Sequence, residues 1–277
     1  MKQQLFLYPL SQAKIFAIIV GKVGDIMYNF FAQKNSRQGN CYLITDSDFN
    51  HIKNVLRMQV GDTLLISEEG LSNLCEIESF EADSAVVRII EENFNDTNLP
   101  VKIYLFQGLP KSDKMELIIQ KAVELGAEGI IPVEMNRCVV KLDDKKKKSK
   151  TSRWQAIAES AAKQSKRTII PEVSDVISFK QALEKAKELD LFLVPYENKD
   201  GMKATENALS QIKAGSTVGI LIGPEGGFEE YEIEAAETVG GKTVSLGKRI
   251  LRTETAAITS VAMCMLYAEM NLNGESE

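Results

Sequence analysis

The feature that most narrows the possible folds is the run VGILI at 218–222, which carries no polar side chain and passes directly into Gly223-Pro224-Glu225-Gly226-Gly227 and a helical stretch over 229–239. A strand without polar alternation is covered on both faces, as in a parallel sheet flanked by helices. The chain after residue 100 keeps that rhythm. Apolar runs VKIYLF at 101–106, GIIPV at 129–133, LFLV at 191–194 and TVSL at 243–246 alternate with helical periodicity over 113–125, 152–163, 179–189 and 254–270. In the first of these helices Met115, Ile118, Ile119, Ala122 and Leu125 share a face, Asp113 with Glu116 has the form of a capping box, and Gly126 suits the C-terminal stop. The expected class is α/β with a mainly parallel sheet.

Upstream the pattern is different. Short β-like runs CYLI at 41–44, TLLIS at 63–67, LCEIESF at 74–80 and AVVRII at 85–90 are punctuated by Gly61-Asp62 and Glu69-Gly70, which predicts a small β-rich domain. The polar segment 91–100 reads as the linker, dividing the chain into 1–93 and 100–277. A length of 277 residues, with 44% hydrophobic and 26% charged, suits such a pair of globular domains. The short apolar patch at 15–20 is followed by Lys22 and Asp25 without a small-residue cleavage site, so neither signal peptide nor membrane span is expected, and a cytoplasmic location follows. Cys41, Cys75, Cys138 and Cys264 are too scattered for zinc or redox motifs and are expected to be reduced and mostly buried. His51 is the only histidine, which excludes His-cluster metal sites and leaves hydrolase chemistry little support.

Two stretches point to a ligand. In parallel sheets ligands bind beyond the carboxyl ends of strands, and the three glycines at 223–227 permit a close main-chain approach that Pro224 stiffens. A second glycine, Gly247, ends the next strand and leads into Lys248-Arg249-Ile250-Leu251-Arg252, with Thr253 as the expected N-cap of a helix from Glu254. Gly240-Gly241-Lys242-Thr243 imitates the end of a phosphate-binding loop, but Ala236 stands where its first glycine belongs. The segment also closes a helix and opens a strand, the reverse of what nucleotide binding requires.

The net charge is −6, yet between Arg137 and Arg167 the bases Lys141, Lys145, Lys146, Lys147, Lys148, Lys150, Arg153, Lys163 and Lys166 outnumber Asp143, Asp144 and Glu159. That is a local basic face, with the lysine run itself reading as a solvated loop before a helix at 152. His51, Lys53 and Arg57 form a smaller basic group in the first domain.

LIGPEGGFEEYE at 221–232 and LGKRILRTETAA at 246–257 together resemble the RsmE family of 16S ribosomal RNA uridine methyltransferases. The likeness extends to KSDKMELIIQKAVELGAEGIIPV at 111–133, RWQAIAESAAKQSKR at 153–167 and HIKNVLRMQVGD at 51–62, in the family's order. It implies a PUA-like β-barrel that binds RNA, followed by a SPOUT-type α/β domain whose C-terminal chain forms a trefoil knot. The knot is implied by the resemblance alone, since threaded connections are rare. The family works as a homodimer on small-subunit rRNA, without a metal, and holds S-adenosylmethionine in the knot loops. Carried onto this chain, the cofactor positions are Ile222, Gly223, Glu225, Gly226 and Gly227 in one loop and Leu246, Gly247, Ile250, Leu251 and Thr253 in the other. Val194, Pro195, Tyr196 and Glu197 supply a wall. Arg252 is expected to stabilise the anion on the base, Glu254 or a backbone carbonyl to help receive its proton, and Lys111, Arg153, Gln164, Arg167 and Arg57 to contact RNA. The chain departs from the family at Gln3-Gln4-Leu5-Phe6, where basic residues beside aromatic ones are usual, and over 12–40, an insertion. The competing classes are a non-catalytic RNA-binding or ribosome-assembly factor and a SPOUT methyltransferase acting on tRNA.

Overall fold

The computed structural model describes residues 27–196 and 201–272, so the departure at Gln3 to Phe6, the start of the insertion and Glu197 lie outside the described residues. The described chain forms two sheets, each with its own apolar core.

The first sheet comprises β1 (Asn29–Phe31), β2 (Arg37–Gln38), β3 (Cys41–Thr45), β4 (Thr63–Glu68), β5 (Leu71–Phe80) and β6 (Ser84–Asn95), in the order β1-β4-β5-β6-β3-β2. Its ladders are antiparallel except for β1 beside β4. Glu69 and Gly70, with φ of 49° and 84°, make the tight turn that aligns Glu68 with Leu71. Tyr42, Ile44, Leu64, Ile66, Cys75, Ile77, Val87 and Ile89 fill the core.

Two features differ from expectation. A short helix α1 (Asp46–Asn50) continues into a π-helical turn, His51–Val55, where sequence patterning suggested nothing; α1 buries no residue, and only Ile52 of the turn enters the core. The presumed linker at 91–95 is the end of β6. Glu91 pairs with Leu74 and Asn95 with Ser72 across a register shift, while the Asn93 N–H donates to Asn73 Oδ1 (3.0 Å). Ladder hydrogen bonds hold this polar stretch in a strand that burial alone would not support, and it runs two residues past the expected division at 93.

The second sheet is wholly parallel, as its apolar runs demanded. β7 (Lys102–Gly108), β8 (Gly129–Glu134), β10 (Ile177–Ser178), β11 (Leu191–Pro195), β12 (Thr217–Ile222) and β13 (Gly241–Val244) lie in the order β10-β8-β7-β12-β11-β13, with β9 (Glu172–Val173) paired to β8. Helices α2 (Lys114–Glu124), α3 (Asp144–Gln164), α4 (Phe179–Ala186), α5 (Met202–Leu209), α6 (Glu230–Thr238) and α7 (Thr253–Leu272) accompany it. The lysine run is helical rather than a loop: Asp143 caps α3 by accepting from the Lys146 N–H (2.8 Å). α7 buries Thr253, Ala257, Ser260, Val261, Cys264 and Ala268, a seam of mostly small residues that lies against α2, β7 and β12. Cys75, Cys138 and Cys264 are buried, Cys41 is partly exposed, and all four are free.

β12 sits at the centre, between β7 and β11. Its Gly219 has no room for a side chain, because a Cβ there would stand 2.9 Å from Phe192 Cδ2 and 3.2 Å from Phe106 Cε2, and closer still to Leu189. Gly219→Ala is expected to overpack this layer and cost about 1–3 kcal/mol, read as a lower midpoint in denaturant unfolding.

Candidate active site

The carboxyl ends of β7, β12, β11 and β13 share one edge. Ile222 stands opposite Gln107, and Val194 and Pro195 stand opposite Thr243 and Val244. The first loop leaves β12 at Gly223. The second leaves β13, the edge strand, and passes back beyond β11 so that α7 begins beside Gly223. Thr253 makes the junction. Its hydroxyl donates to Gly223 O (2.6 Å) and accepts from Gln107 Nε2 (3.0 Å), with Thr253 6% and Gln107 0% exposed. Gln107 Nε2 also donates to Gly108 O (2.8 Å), whereas its buried Oε1 accepts no hydrogen bond among the described residues. The expected N-cap therefore shifts by one residue: α7 starts at Thr253, whose hydroxyl is committed to the neighbouring loop, and the Ala256 N–H closes the first turn on Arg252 O (2.8 Å).

The first loop is held from outside by residues 136–137, which sequence patterning did not single out. Arg137 donates to Gly226 O (3.0 Å) and Glu229 Oε2 (2.9 Å), and Asn136 Nδ2 donates to Glu229 Oε1 (3.1 Å). A Cβ on Gly226 would lie 2.9 Å from Arg137 Cβ, so the glycine is required by this close approach. Glu232, fully buried, accepts from the main-chain N–H groups of Asn136 (3.1 Å) and Glu229 (2.9 Å). The Glu229 carboxyl is held below its ordinary range, chiefly by its hydrogen bond from Arg137.

Lys114, at the start of α2, was also missed. Its ammonium lies 3.1 Å from Glu225 Oε1 in the first loop and 3.2 Å from Glu254 Oε2 in the first turn of α7. The Lys111 N–H adds a hydrogen bond to Glu225 Oε1 (3.0 Å). Hydrogen bonding to Glu225 raises the Lys114 ammonium above its ordinary value. Burial works against the Glu225 charge, but main-chain donors and Lys114 outweigh it and lower its pKa. A single cation thus joins both loops.

The third wall is Val194, buried, with Pro195 half-buried and Tyr196 exposed at an edge-on distance of 6.2 Å from Phe228. Tyr196 N–H donates to Val244 O (3.0 Å), and Thr205 exchanges hydrogen bonds with the Ser245 main chain (2.7 and 3.0 Å). In the second loop Gly247 adopts φ of 100°, Leu246 and Leu251 are partly covered, and Ile250 and Arg252 are exposed.

The expected RNA-contacting residues are dispersed. Lys111 lies beside the first loop with its side chain exposed, Gln164 is exposed at the end of α3, and Arg57 is exposed on the first sheet's unit with φ of 54°. Arg153 is exposed on α3 but paired with Glu116 of α2 (2.8 Å). Arg167 is a correction. It is 4% exposed and donates to Val123 O (3.1 Å) and Ala127 O (2.8 Å), so its guanidinium is spent on buried carbonyls and faces no RNA. On the basic face Lys147 pairs with Glu134 (2.8 Å) and Lys146 with Asp143 (3.3 Å), while Lys145 and Lys148 are exposed on the first turns of α3. Among the described residues no group of three or more His, Cys, Asp or Glu could hold a metal, and no helix is long and apolar enough to cross a membrane.

Thr253→Val keeps the shape of the junction and removes both of its hydrogen bonds, leaving Gly223 O buried without its donor. The expected loss is about 1–3 kcal/mol of unfolding free energy, with hydrogen exchange at 223–227 accelerated beyond that in the first sheet.

A family model described as an RNA methyltransferase domain matches residues 97–265, and one described as an RNA methyltransferase PUA domain matches 44–90. The chain is 41% identical to ribosomal RNA small subunit methyltransferase E of Bacillus subtilis, across 88% of this chain and 98% of that one. It is 34% identical to the same-named protein of Mesomycoplasma hyopneumoniae, across 86% and 99%. Among solved structures, the Neisseria gonorrhoeae ribosomal RNA small subunit methyltransferase E bound to S-adenosyl methionine superposes with a TM-score of 0.74 at 30% identity, covering 86% of this chain and 96% of that one. With such likeness along nearly the whole length of its relatives, the chain belongs to the ribosomal RNA small subunit methyltransferase E family of RNA methyltransferases.

Proposed function

We propose that this chain is an S-adenosylmethionine-dependent methyltransferase acting on N3 of a uridine in 16S ribosomal RNA of the small subunit. The observation that carries the reading is the meeting of two glycine-bearing loops at the carboxyl ends of parallel strands, tied together by Thr253. The site's chemistry fits the cofactor. Gly227 and Gly247 hold left-handed backbone, a Cβ on Gly227 would meet open space, and the buried Gln107 Oε1 is an acceptor in need of a donor. Ile222, Gly223, Glu225, Gly226 and Gly227 would form one side of the cofactor site and Leu246, Gly247, Ile250, Leu251 and Thr253 the other. Val194, Pro195, Tyr196 and Glu197 would close it.

The wider assignment belongs to the same proposal. The described residues through Asn95 form a PUA-like RNA-binding barrel, and the described residues from 100 onward the SPOUT methyltransferase domain. Its C-terminal chain is knotted, a reading supported by the return of the second loop from the sheet edge to Gly223. Exposed Ile250, Leu266 and Met270 support a homodimer, since apolar side chains of this size gain by being covered. The enzyme is cytoplasmic, and the exposed lysines of α3 with Lys111, Arg153 and Arg57 contact RNA through phosphate charge, Gln164 through hydrogen bonds of its amide.

When bound, the cofactor supplies a methyl group on a sulfonium that leaves as a neutral thioether, chemistry that needs no metal. The chain's own task is to orient the uridine and manage its N3 proton. Arg252, at the mouth of the second loop and without an ion-pair partner among the described residues, offsets the negative charge that develops on the base. Glu254, ion-paired with Lys114, or a main-chain carbonyl beside it helps receive the proton.

Nucleoside analysis of RNA from cells lacking the protein tests the substrate: one N3-methyluridine is lost from 16S rRNA, and a loss confined to tRNA would reassign it. Calorimetry with S-adenosylmethionine tests the enzyme reading, which no heat at millimolar ligand would remove in favour of a non-catalytic RNA-binding factor. Arg252→Ala is expected to lower kcat about 10²-fold with cofactor affinity retained. Lys114→Met, by releasing Glu225 and Glu254 from each other, is expected to weaken cofactor binding by about tenfold, or roughly 1.4 kcal/mol. Lys114→Arg should restore most of it in the same titration.

A further inference from the structure

Polar contacts from the second unit to the first sheet's unit and to the connector residues Thr97 and Asn98 converge on one short stretch, 163–168, at and just beyond the end of α3. Lys163 Nζ pairs with Asp48 (2.9 Å), the Thr97 hydroxyl donates to Lys166 O (3.1 Å), and the Thr168 hydroxyl donates to Asn98 Oδ1 (2.8 Å). Arg167 stands at the centre. Its main-chain oxygen accepts from Asn29 Nδ2 of β1 (3.0 Å), and the Ser67 hydroxyl of β4, which donates to Asn29 Oδ1 (2.9 Å), lies 3.3 Å from it, both side chains buried. Its guanidinium points the other way and donates to Val123 O and Ala127 O.

The guanidinium meets the C-terminus of α2, and the main chain of Arg167 closes the C-terminus of α3. α2 closes with Gly126 at φ of 92°, Gly126 N–H on Val123 O (3.0 Å) and Ala127 N–H on Ala122 O (2.9 Å). α3 closes in the same pattern, with Arg167 N–H on Ala162 O (2.9 Å), but the left-handed position is Lys166, φ of 58°, where glycine is usual. A buried arginine without a carboxylate partner is costly. Here the carbonyls at the negative end of α2 serve in place of one, and they do so only in this geometry. Burial lowers the Arg167 pKa, and no hydrogen bond reaches its Nε among the described residues.

We propose that Arg167 is a positioning residue for rRNA: it fixes the RNA-binding unit's angle to the methyl-donor site, so that one folded RNA meets both. A structured RNA touching two surfaces gains from the second contact only if their spacing is preset, because a loose junction lowers the effective concentration of the second surface. The proposal rests on the first unit contacting RNA.

The test uses full-length protein and assembled small subunits as substrate. Asn29→Ala with Ser67→Ala cuts the bridge on the carbonyl side and leaves the Arg167 charge satisfied; Arg167→Met and Arg167→Lys cut it on the other. The expected result is a KM for the subunit raised about tenfold, kcat within about twofold and the calorimetric Kd for S-adenosylmethionine unchanged, with Arg167→Lys intermediate. An unchanged KM for the subunit in folded Asn29→Ala, Ser67→Ala protein overturns the proposal, as does a cofactor Kd that rises in step with KM. Arg57→Glu separates the two levels. If it raises KM while the bridge variants are silent, the bridge is rejected and first-unit contact stands; if all are silent, both fall.

Discussion

The hydroxyl of Thr253 sits between Gly223 O and Gln107 Nε2, and the architecture of the site depends on that placement. Gly223 follows the last residue of the central strand, Gln107 lies next to the last of its neighbour, and Thr253 opens α7, so one side chain registers three elements that are remote in sequence. A threonine is well suited to the position because it donates and accepts at once while its methyl group packs in a buried seam. Valine would pack equally well, but it could not satisfy a buried carbonyl.

From this point the rest of the site follows by constraint. With α7 pinned beside Gly223, the second loop must cross from the sheet edge back over the end of β11, and Gly247 turns it with a left-handed backbone. Glu254 is then carried to within reach of Lys114, which already holds Glu225. Two carboxylates near one another would repel; the ammonium between them turns that repulsion into a tie between the loops. The first loop needs its own outer support, and Arg137 and Asn136 provide it through Gly226 and Glu229.

Much of this was legible in the chain, and what was not has identifiable causes. The run at 218–222 announced a strand covered on both faces, and the glycines after it marked a loop at a strand end. Such signals are local. The pairing of Gln107 with Thr253 spans 146 residues and leaves no periodic trace, and nothing in the spacing around Lys114 marks its reach to Glu225 and Glu254. The strand over 91–95 was hidden because its polar side chains suit a loop, while its ladder bonds involve only main chain and Asn73. α1 was hidden for the converse reason: it buries nothing, so no apolar spacing marks it.

The arginines of one basic stretch make the same point about charge. Arg137, Arg153 and Arg167 are indistinguishable as sequence symbols, yet the first braces the glycine loop, the second pairs with Glu116 on an exposed helix face, and the third is buried between two helix ends. Local charge density identifies where cations are concentrated, and it leaves open which of them solvent or RNA can reach. That is decided by partners: a guanidinium whose carbonyl acceptors are preorganised at a helix C-terminus can leave water, whereas Lys145, Lys146 and Lys148 in the first turns of α3, lacking such acceptors, stay at the surface. The same net positive stretch therefore splits into two environments, exposed cations at the start of α3 and a buried guanidinium just beyond its end, and only the buried one uses arginine's forked geometry, on Val123 O and Ala127 O.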